Sequence, residues 1–377
     1  MMQSAMSQVD RLVALRDDSP DTTALVVAGS DGGEVTLTMA ELVDRVETAA
    51  GELSSRGVGS SSLVVIALPN GVAHVVACHA AWWLGACVMP LSPLLPAWEF
   101  GQVIGAASES GRAVLVVGQS RVETGPLDVA FAEAGSLLDP GTLAPRVRPP
   151  ERVLPEPGVA IPSGGSTGRP KIIVDTRPMI AVPGAESPTS RLLGHAPHHR
   201  VLIVGPLYHT GPFGSLRRSL FESGFTVLME RFDPGLALEL IERHRINRLF
   251  SVPAQLQRMA RDPSVNERDL SSIEVLYHSG AVCPPWLKRF WIDRLGPERV
   301  LEGYGSTEAI GALAIRGDEW LLHPGSVGRP EVSEVKICDE HGAEVPVGEV
   351  GELYMRWRRT SHSVGDIEGS AYRYWGS

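Results

Sequence analysis

The nine residues Ser163-Gly164-Gly165-Ser166-Thr167-Gly168-Arg169-Pro170-Lys171 gather three glycines, three hydroxyls and a lysine in one place. Two chemistries use such a set. Glycines let successive backbone N–H groups converge on an anion, Ser163, Ser166 and Thr167 add hydroxyl donors, and Lys171 adds a compact positive charge. That is a phosphate-gripping loop. The alternative is a serine nucleophile, because Gly164-x-Ser166-x-Gly168 also fits the G-x-S-x-G elbow.

The flanking residues separate the two. An elbow needs a strand before the serine and a helix after it, whose N-terminus helps build the oxyanion hole. Here Pro170 tolerates only a first helical turn, and Ile172-Ile173-Val174 is β-branched and reads as a strand. The loop therefore reads as strand–loop–strand, and no HGGG-type oxyanion segment precedes it. Nor is it a Walker A loop, since Arg169 and Pro170 stand between the last glycine and the lysine.

The surrounding elements alternate between helix and strand, which predicts an α/β fold of layered mixed sheets. Thr38-Met39-Ala40-Glu41 is a capping box. Leu42, Val46, Ala49, Ala50 and Leu53 follow at helical spacing, and Gly57 suits the stop. Ser62–Leu68 reads as a buried strand closed by Pro69-Asn70-Gly71. A second helix runs through AHVVACHAAWWLGA, then come a short strand in CVMPLSP and another over Ala113–Val117. The Pro-, Gly- and Ala-rich stretch from about Pro126 to Pro157 reads as a connection. Strands follow in HRVLIVGPL, FTVLMERF, RLFSVP and IEVLYHSG, and Asp233-Pro234 opens a helix. After Gly328 short alternating stretches predict a small antiparallel β unit. The expected organisation is a first α/β sub-domain over 1–155, a second with the chemistry-bearing motifs over 156–327, and a small β sub-domain over 328–377.

Composition bounds the rest. The chain has 377 residues, 43% hydrophobic and 21% charged, with a net charge of −10. That balance argues against nucleic-acid binding. No apolar run approaches the ~20 residues of a membrane span, and the acidic start lacks the apolar core of a signal peptide. Cys78, Cys87, Cys283 and Cys338 are scattered, so neither zinc nor a disulfide framework is expected and a cytoplasmic location is. Of the 34 basic residues only Lys171, Lys288 and Lys336 are lysines.

A second motif, EGYGSTEAIG over Glu302–Gly311, gives the loop a partner. Together they resemble the two nucleotide signatures of the adenylate-forming superfamily: acyl- and aryl-CoA ligases, luciferases and peptide-synthetase adenylation domains. LPNGVAHVVACHAAWWLGACVMPLSP, GPLYHTGPF and VGRPEVSEVKICDEHGAEVPVGEVGELYMRW resemble further segments of the same family, over roughly residues 20 to 377. The resemblance implies ATP-dependent formation of an acyl-adenylate with release of pyrophosphate, then transfer to CoA. It implies that Ser163, Gly164, Gly165, Ser166, Thr167, Gly168 and Lys171 close over the β- and γ-phosphates. Gly303, Tyr304, Gly305 and Ser306 would line the nucleotide, with Tyr304 stacked on adenine and Thr307 at the α-phosphate. Glu308 would associate with Mg²⁺, and His209 would lie near the substrate carboxylate. Gly280 and Ala281 would wall off adenine from the acyl pocket, although the usual Gly-Ala-Pro-Leu is here Gly-Ala-Val-Cys.

The family continues with an aspartate that grips the ribose and a C-terminal lobe bearing a catalytic lysine. Asp366 precedes the Tyr-Trp-Gly segment and is misplaced for that role, and no lysine lies beyond Lys336, so the chain is expected to represent the large N-terminal lobe. No acid lies between Gly205 and Leu220, where amino-acid activators carry an aspartate. A fatty, aromatic or polycyclic acid is therefore expected as substrate rather than an α-amino acid, and a homodimer is kept open as the assembly. Three alternatives stand beside the ligase: a diazotase spending ATP on nitrite and an aryl amine, a non-catalytic nucleotide-binding lobe, and the serine esterase.

Overall fold

A computed structural model describes residues 4–119, 129–135, 148–163, 170–185, 188–196, 199–222, 224–358 and 372–375. The chain divides into two compact units. One comprises Met1–Ala185, Pro197–Ala237 and Ala371–Ser377, the other Glu186–Ala196 and Leu238–Ser370.

The first unit is built on a seven-stranded sheet in the order Tyr372–Trp375, Lys171–Asp175, Val159–Ser163, Cys87–Pro90, Ser62–Ala67, Ala113–Gly118, Ala130–Glu133. Its centre is parallel: Ser62–Ala67 pairs in parallel with Cys87–Pro90 on one side and Ala113–Gly118 on the other. All six residues of Ser62–Ala67 are buried, as a parallel strand covered on both faces requires. A second run of strands orders as Val201–Ile203, Thr226–Met229, Thr23–Ala28 and Glu34–Thr38, the last of them antiparallel.

Helix Met39–Ser55 starts at the expected capping box, with Thr38 and Glu41 each bonding the other's backbone. Its Leu42, Val46, Ala49, Ala50 and Leu53 are all buried. Helix Val72–Trp83 is apolar around its circumference and buried from His74 to Trp83, the signature of a helix enclosed on every side. Its last turn also anchors other segments. The Trp82 indole N–H donates to the Gly158 carbonyl at 2.8 Å, fixing the entry to strand Val159–Ser163. Trp83 donates to the Pro150 carbonyl at 2.8 Å. Pro150 and Gly158 are thus pinned, and the expected connection contains a strand that the sequence did not announce: Ala130–Glu133 adds in parallel to the sheet edge. Four residues are too few for an alternation to stand out.

The second unit carries strands Arg248–Ser251, Val275–His278, Val300–Gly305 and Ala312–Arg316 as consecutive neighbours. The first three are parallel and the last antiparallel. Helices Pro253–Arg261, Pro285–Leu295 and Gly317–Leu322 join or follow them. The expected small β unit is present as Ser333–Cys338 paired antiparallel with Glu352–Trp357. Among the described residues no helix is long and apolar enough to cross a membrane.

Candidate active site

In the first unit the phosphate-loop candidate spans the mouth of a hairpin. Val159–Ser163 and Lys171–Asp175 are antiparallel neighbours, and Ser163 pairs directly with Lys171. The Ser163 hydroxyl donates to the Lys171 carbonyl at 3.4 Å. Gly164, Gly165, Ser166, Thr167 and Gly168 lie outside the described residues. Among the described residues the segment after the loop is the strand Lys171–Asp175, not the helix that a serine elbow leads into. Lys171 is half-buried, and its ammonium lies 5.8 Å from the centre of the Tyr374 ring, on the strand that pairs with its own.

His209 lies beyond the carboxyl end of strand Val201–Ile203, at the N-cap of helix Thr210–Phe221, without bonding the helix from its side chain. The ring is open to solvent on its outer side, while the protein behind it holds the imidazolium below its usual pKa. It lies 4.8 Å from the Tyr208 ring. The loop carrying it is fixed by a residue that the sequence reading did not single out. Asn70 donates to the carbonyls of Gly205 at 3.0 Å and Met229 at 2.9 Å, and its Oδ1 accepts from the Leu207 N–H at 2.9 Å. One amide therefore ties the turn after strand Ser62–Ala67 to the Pro-Leu-Tyr-His loop.

In the second unit the nucleotide candidates sit at or just beyond the carboxyl ends of two adjacent parallel strands, where α/β sheets hold their ligands. Val275–His278 leads into exposed Gly280 and Ala281, and Gly280 has φ +86°, a conformation that favours glycine. Val300–Gly305 lies beside it, with His278 opposite Glu302. Gly303 is needed for contact: a Cβ there would collide with the Tyr277 ring. Tyr304 is 43% exposed, so it is no core aromatic and its ring is available for stacking. Gly305 and Ser306 are also exposed.

The strand then breaks into a turn. The Ala309 N–H donates to the Ser306 carbonyl at 3.0 Å, which makes half-buried Thr307 and Glu308 its two central residues. Ala309 itself has φ +44°, costing an alanine about 1–2 kcal/mol. Strain of this kind collects at functional turns, and the residue types give no warning of it.

Behind these strands Lys288, on helix Pro285–Leu295, is buried against Glu302, with side-chain exposures of 2% and 12%. The ammonium also lies 4.6 Å from the Trp320 ring centre. Burial pulls Lys288 down to about 8. His278 is buried nearby with no partner for either ring nitrogen, and burial, reinforced by the Lys288 charge, lowers it to about 3.

Elsewhere on this unit a cleft of about 570 Å³ opens between Arg191, Val275, Leu301, Leu322 and their neighbours. None of the candidate nucleotide-site residues lines it. Two arginines on its rim are already engaged, Arg316 with Asp318 and Arg329 with Glu319.

Among the described residues no group of three or more His, Cys, Asp or Glu could hold a metal by itself. Glu308 beside Thr307 offers one carboxylate and one hydroxyl, both hard oxygen donors. That suits an ion which keeps several waters and takes its other ligands from substrate phosphates.

Residues 14–361 match the family described as AMP-binding enzyme. The chain is 32% identical over 345 residues to a feruloyl-CoA synthase of Amycolatopsis sp., covering 89% of this chain and 67% of that protein. It is 32% identical over 308 residues to a 4-chlorobenzoate–CoA ligase of Pseudomonas sp. (strain CBS-3), covering 77% of this chain and 56% of the relative. The chain thus spans about two thirds of one relative and little more than half of the other. O-succinylbenzoate coenzyme A synthetase of Bacillus subtilis, solved in complex with AMP, shares the fold at a TM-score of 0.76 and 22% identity, covering 94% of this chain and 88% of that one.

Proposed function

The chain belongs to the AMP-binding enzyme family, and we propose that it uses ATP to activate a carboxylic acid as an acyl-adenylate and passes the acyl group to the thiol of CoA. One carboxylate oxygen attacks the α-phosphorus of ATP. The bond from that phosphorus to the bridging oxygen breaks, and pyrophosphate leaves with the electron pair. The CoA thiolate then adds to the acyl carbon, and AMP departs. Little covalent work falls to the protein in the first step; it must align attacker and leaving group and neutralise charge.

The observation that carries the reading is the order of groups along one short backbone. A half-exposed aromatic at Tyr304 is followed by a turn presenting the Thr307 hydroxyl and the Glu308 carboxylate. Adenine, α-phosphate and metal-bound phosphates follow one another in ATP in the same order. In this reading Tyr304 stacks on the base, Thr307 donates to the α-phosphate and Gly280-Ala281 separates base from acyl pocket. The loop from Ser163 to Gly168, with Lys171, closes on the β- and γ-phosphates. His209 stands by the substrate carboxylate. Mg²⁺, when bound through Glu308, supplies neutralisation of the phosphate charge. The segment from Gly205 to Leu220 has no acid to hold a substrate ammonium, and the relatives are named for ferulate and chlorobenzoate. Both favour an aromatic, fatty or polycyclic acid over an α-amino acid. The scattered cysteines favour the cytoplasm as the compartment.

The test is pyrophosphate release by the full-length protein with ATP, Mg²⁺ and a panel of acids. Release that requires both ATP and one acid class supports the reading. Hydrolysis of p-nitrophenyl acetate without ATP, or release that needs nitrite and an aryl amine instead of an acid, overturns it.

A further inference from the structure

Ala309, the residue after Glu308, is held in the left-handed region at φ +44°, where its Cβ crowds the backbone. Its own turn bond to Ser306 closes the inner side. From outside, the Trp357 indole N–H donates to the Ala309 carbonyl. Trp357 ends strand Glu352–Trp357 of the small sheet. Met355, two residues earlier and so on the same face, packs against Gly311, where an added Cβ would meet Met355 Cγ at 2.5 Å. Ser333 is directly opposite Trp357 in the ladder. Its hydroxyl accepts from the Ala312 N–H and donates to the Ala312 carbonyl, both at 2.8 Å. One face of the small sheet thus seats the backbone from 309 to 312, the stretch that leaves the Thr307–Glu308 turn.

We infer that the small sheet is the positioning element for that turn and that Trp357 is its positioning residue: the indole donor keeps Ala309 left-handed and thereby aims the Glu308 carboxylate. The inference rests on the reading that Glu308 serves the Mg²⁺–phosphate end of ATP. Sequence alone does not suggest it, because the contact joins residues 48 apart and tryptophan carries no nucleotide chemistry of its own here.

The experiment is calorimetric titration of ATP, with and without Mg²⁺, into the wild type, Trp357→Phe, Trp357→Phe/Ala309→Gly and Glu308→Gln. Trp357→Phe keeps an aromatic ring and removes the donor. It is expected to cut the Mg²⁺-dependent gain in ATP affinity about 3- to 10-fold, the scale of one net hydrogen bond, and to leave Mg²⁺-free affinity within about twofold. Ala309→Gly is expected to restore most of that gain, since glycine takes a positive φ without a Cβ clash. A tryptophan that merely stabilised the fold would lower the melting temperature and leave the Mg²⁺ gain intact; that result, or no rescue by Ala309→Gly, overturns the inference. If Glu308→Gln loses the gain while Trp357→Phe keeps it, the positioning role fails and the reading of Glu308 stands. If Glu308→Gln keeps the gain, the reading of Glu308 fails and the inference with it. Should Trp357→Phe not fold, Ser333→Ala removes the neighbouring clamp and carries the same expectation.

Discussion

Lys288→Met leaves Glu302 buried without its cation. A buried pair broken from one side costs about 3–5 kcal/mol, because the surviving charge has lost both water and partner. Glu302 is only 12% exposed, so solvent screening recovers little of that. With an unfolding entropy near 2.1 cal/mol/K per residue, a 377-residue chain melting as one would lose about 5 °C. Glu302→Leu costs less. Burial already brings Lys288 down to about 8, so without the carboxylate the native protein can shed that proton instead of burying a bare charge. The sign follows from linkage. The folded pKa lies below the unfolded lysine value of 10.5, so the unfolded state binds the extra proton and the stability of Glu302→Leu climbs as pH rises through that window. The double change Lys288→Met/Glu302→Leu places two apolar side chains beside Trp320 and is expected to equal or exceed the wild type, by up to about 4 kcal/mol. Urea denaturation at pH 7 and pH 9, arranged as a double-mutant cycle, measures all of this. A Lys288→Met loss under about 1 kcal/mol, or a double variant weaker than both singles, would refute the argument from uncompensated charge.

Asn70→Asp turns two donors into acceptors facing the carbonyls of Gly205 and Met229; a loss of about 2–4 kcal/mol is expected in urea denaturation, and a change below about 0.5 kcal/mol would show that the amide does not hold the His209 loop. Burial lowers both His74 and His79 to about 4, while each donates from Nδ1 to a backbone carbonyl and has no partner at Nε2. The unfolded chain takes up these protons first, so stability is full above about pH 6.5 and falls toward pH 4, by about 3 kcal/mol for each ring; His79→Gln should flatten that slope, and a wild-type stability constant from pH 6.5 to 4.5 would contradict it. Lys171→Ala should weaken ATP about 10- to 100-fold and AMP far less, since the lysine addresses the outer phosphates; equal losses in calorimetry would remove it from that role.

Local chemistry was legible in the sequence. The Thr38–Glu41 capping box, the strands on either side of the glycine loop and the small antiparallel unit each have a signal within a short stretch of chain, and all are present. The edge strand Ala130–Glu133 was not legible, since its pairing and not its pattern defines it. The supports of the site were also hidden. Asn70 reaches residues 135 and 159 positions away, Lys288 finds Glu302 across a helix and a strand, and nothing about alanine at 309 announces a positive φ. Motifs report which groups meet the ligand. The groups that hold the motifs in place are fixed by tertiary contact, and residue type alone does not mark them.

The three lysines show how far position outranks composition. In a chain where arginine supplies almost all positive charge, each lysine meets a different environment. Lys288 is sealed between Glu302 and Trp320, a space suited to a single ammonium on a slender stem and not to a planar guanidinium with five donors. Lys336 stands on the small sheet 3.6 Å from Glu344, with both side chains more than 60% exposed; such a pair is worth little, and arginine would serve as well. Lys171 fits neither case. It opens the strand beyond the glycine loop, opposite Ser163 and near an aromatic ring. A compact charge on a flexible stem can leave such a ring to follow a phosphate as it departs, which a guanidinium locked into a bidentate fork does less readily. Of the three lysines only Lys171 borders the glycine loop in the sequence, which is why we propose the phosphate role for it and not for the other two.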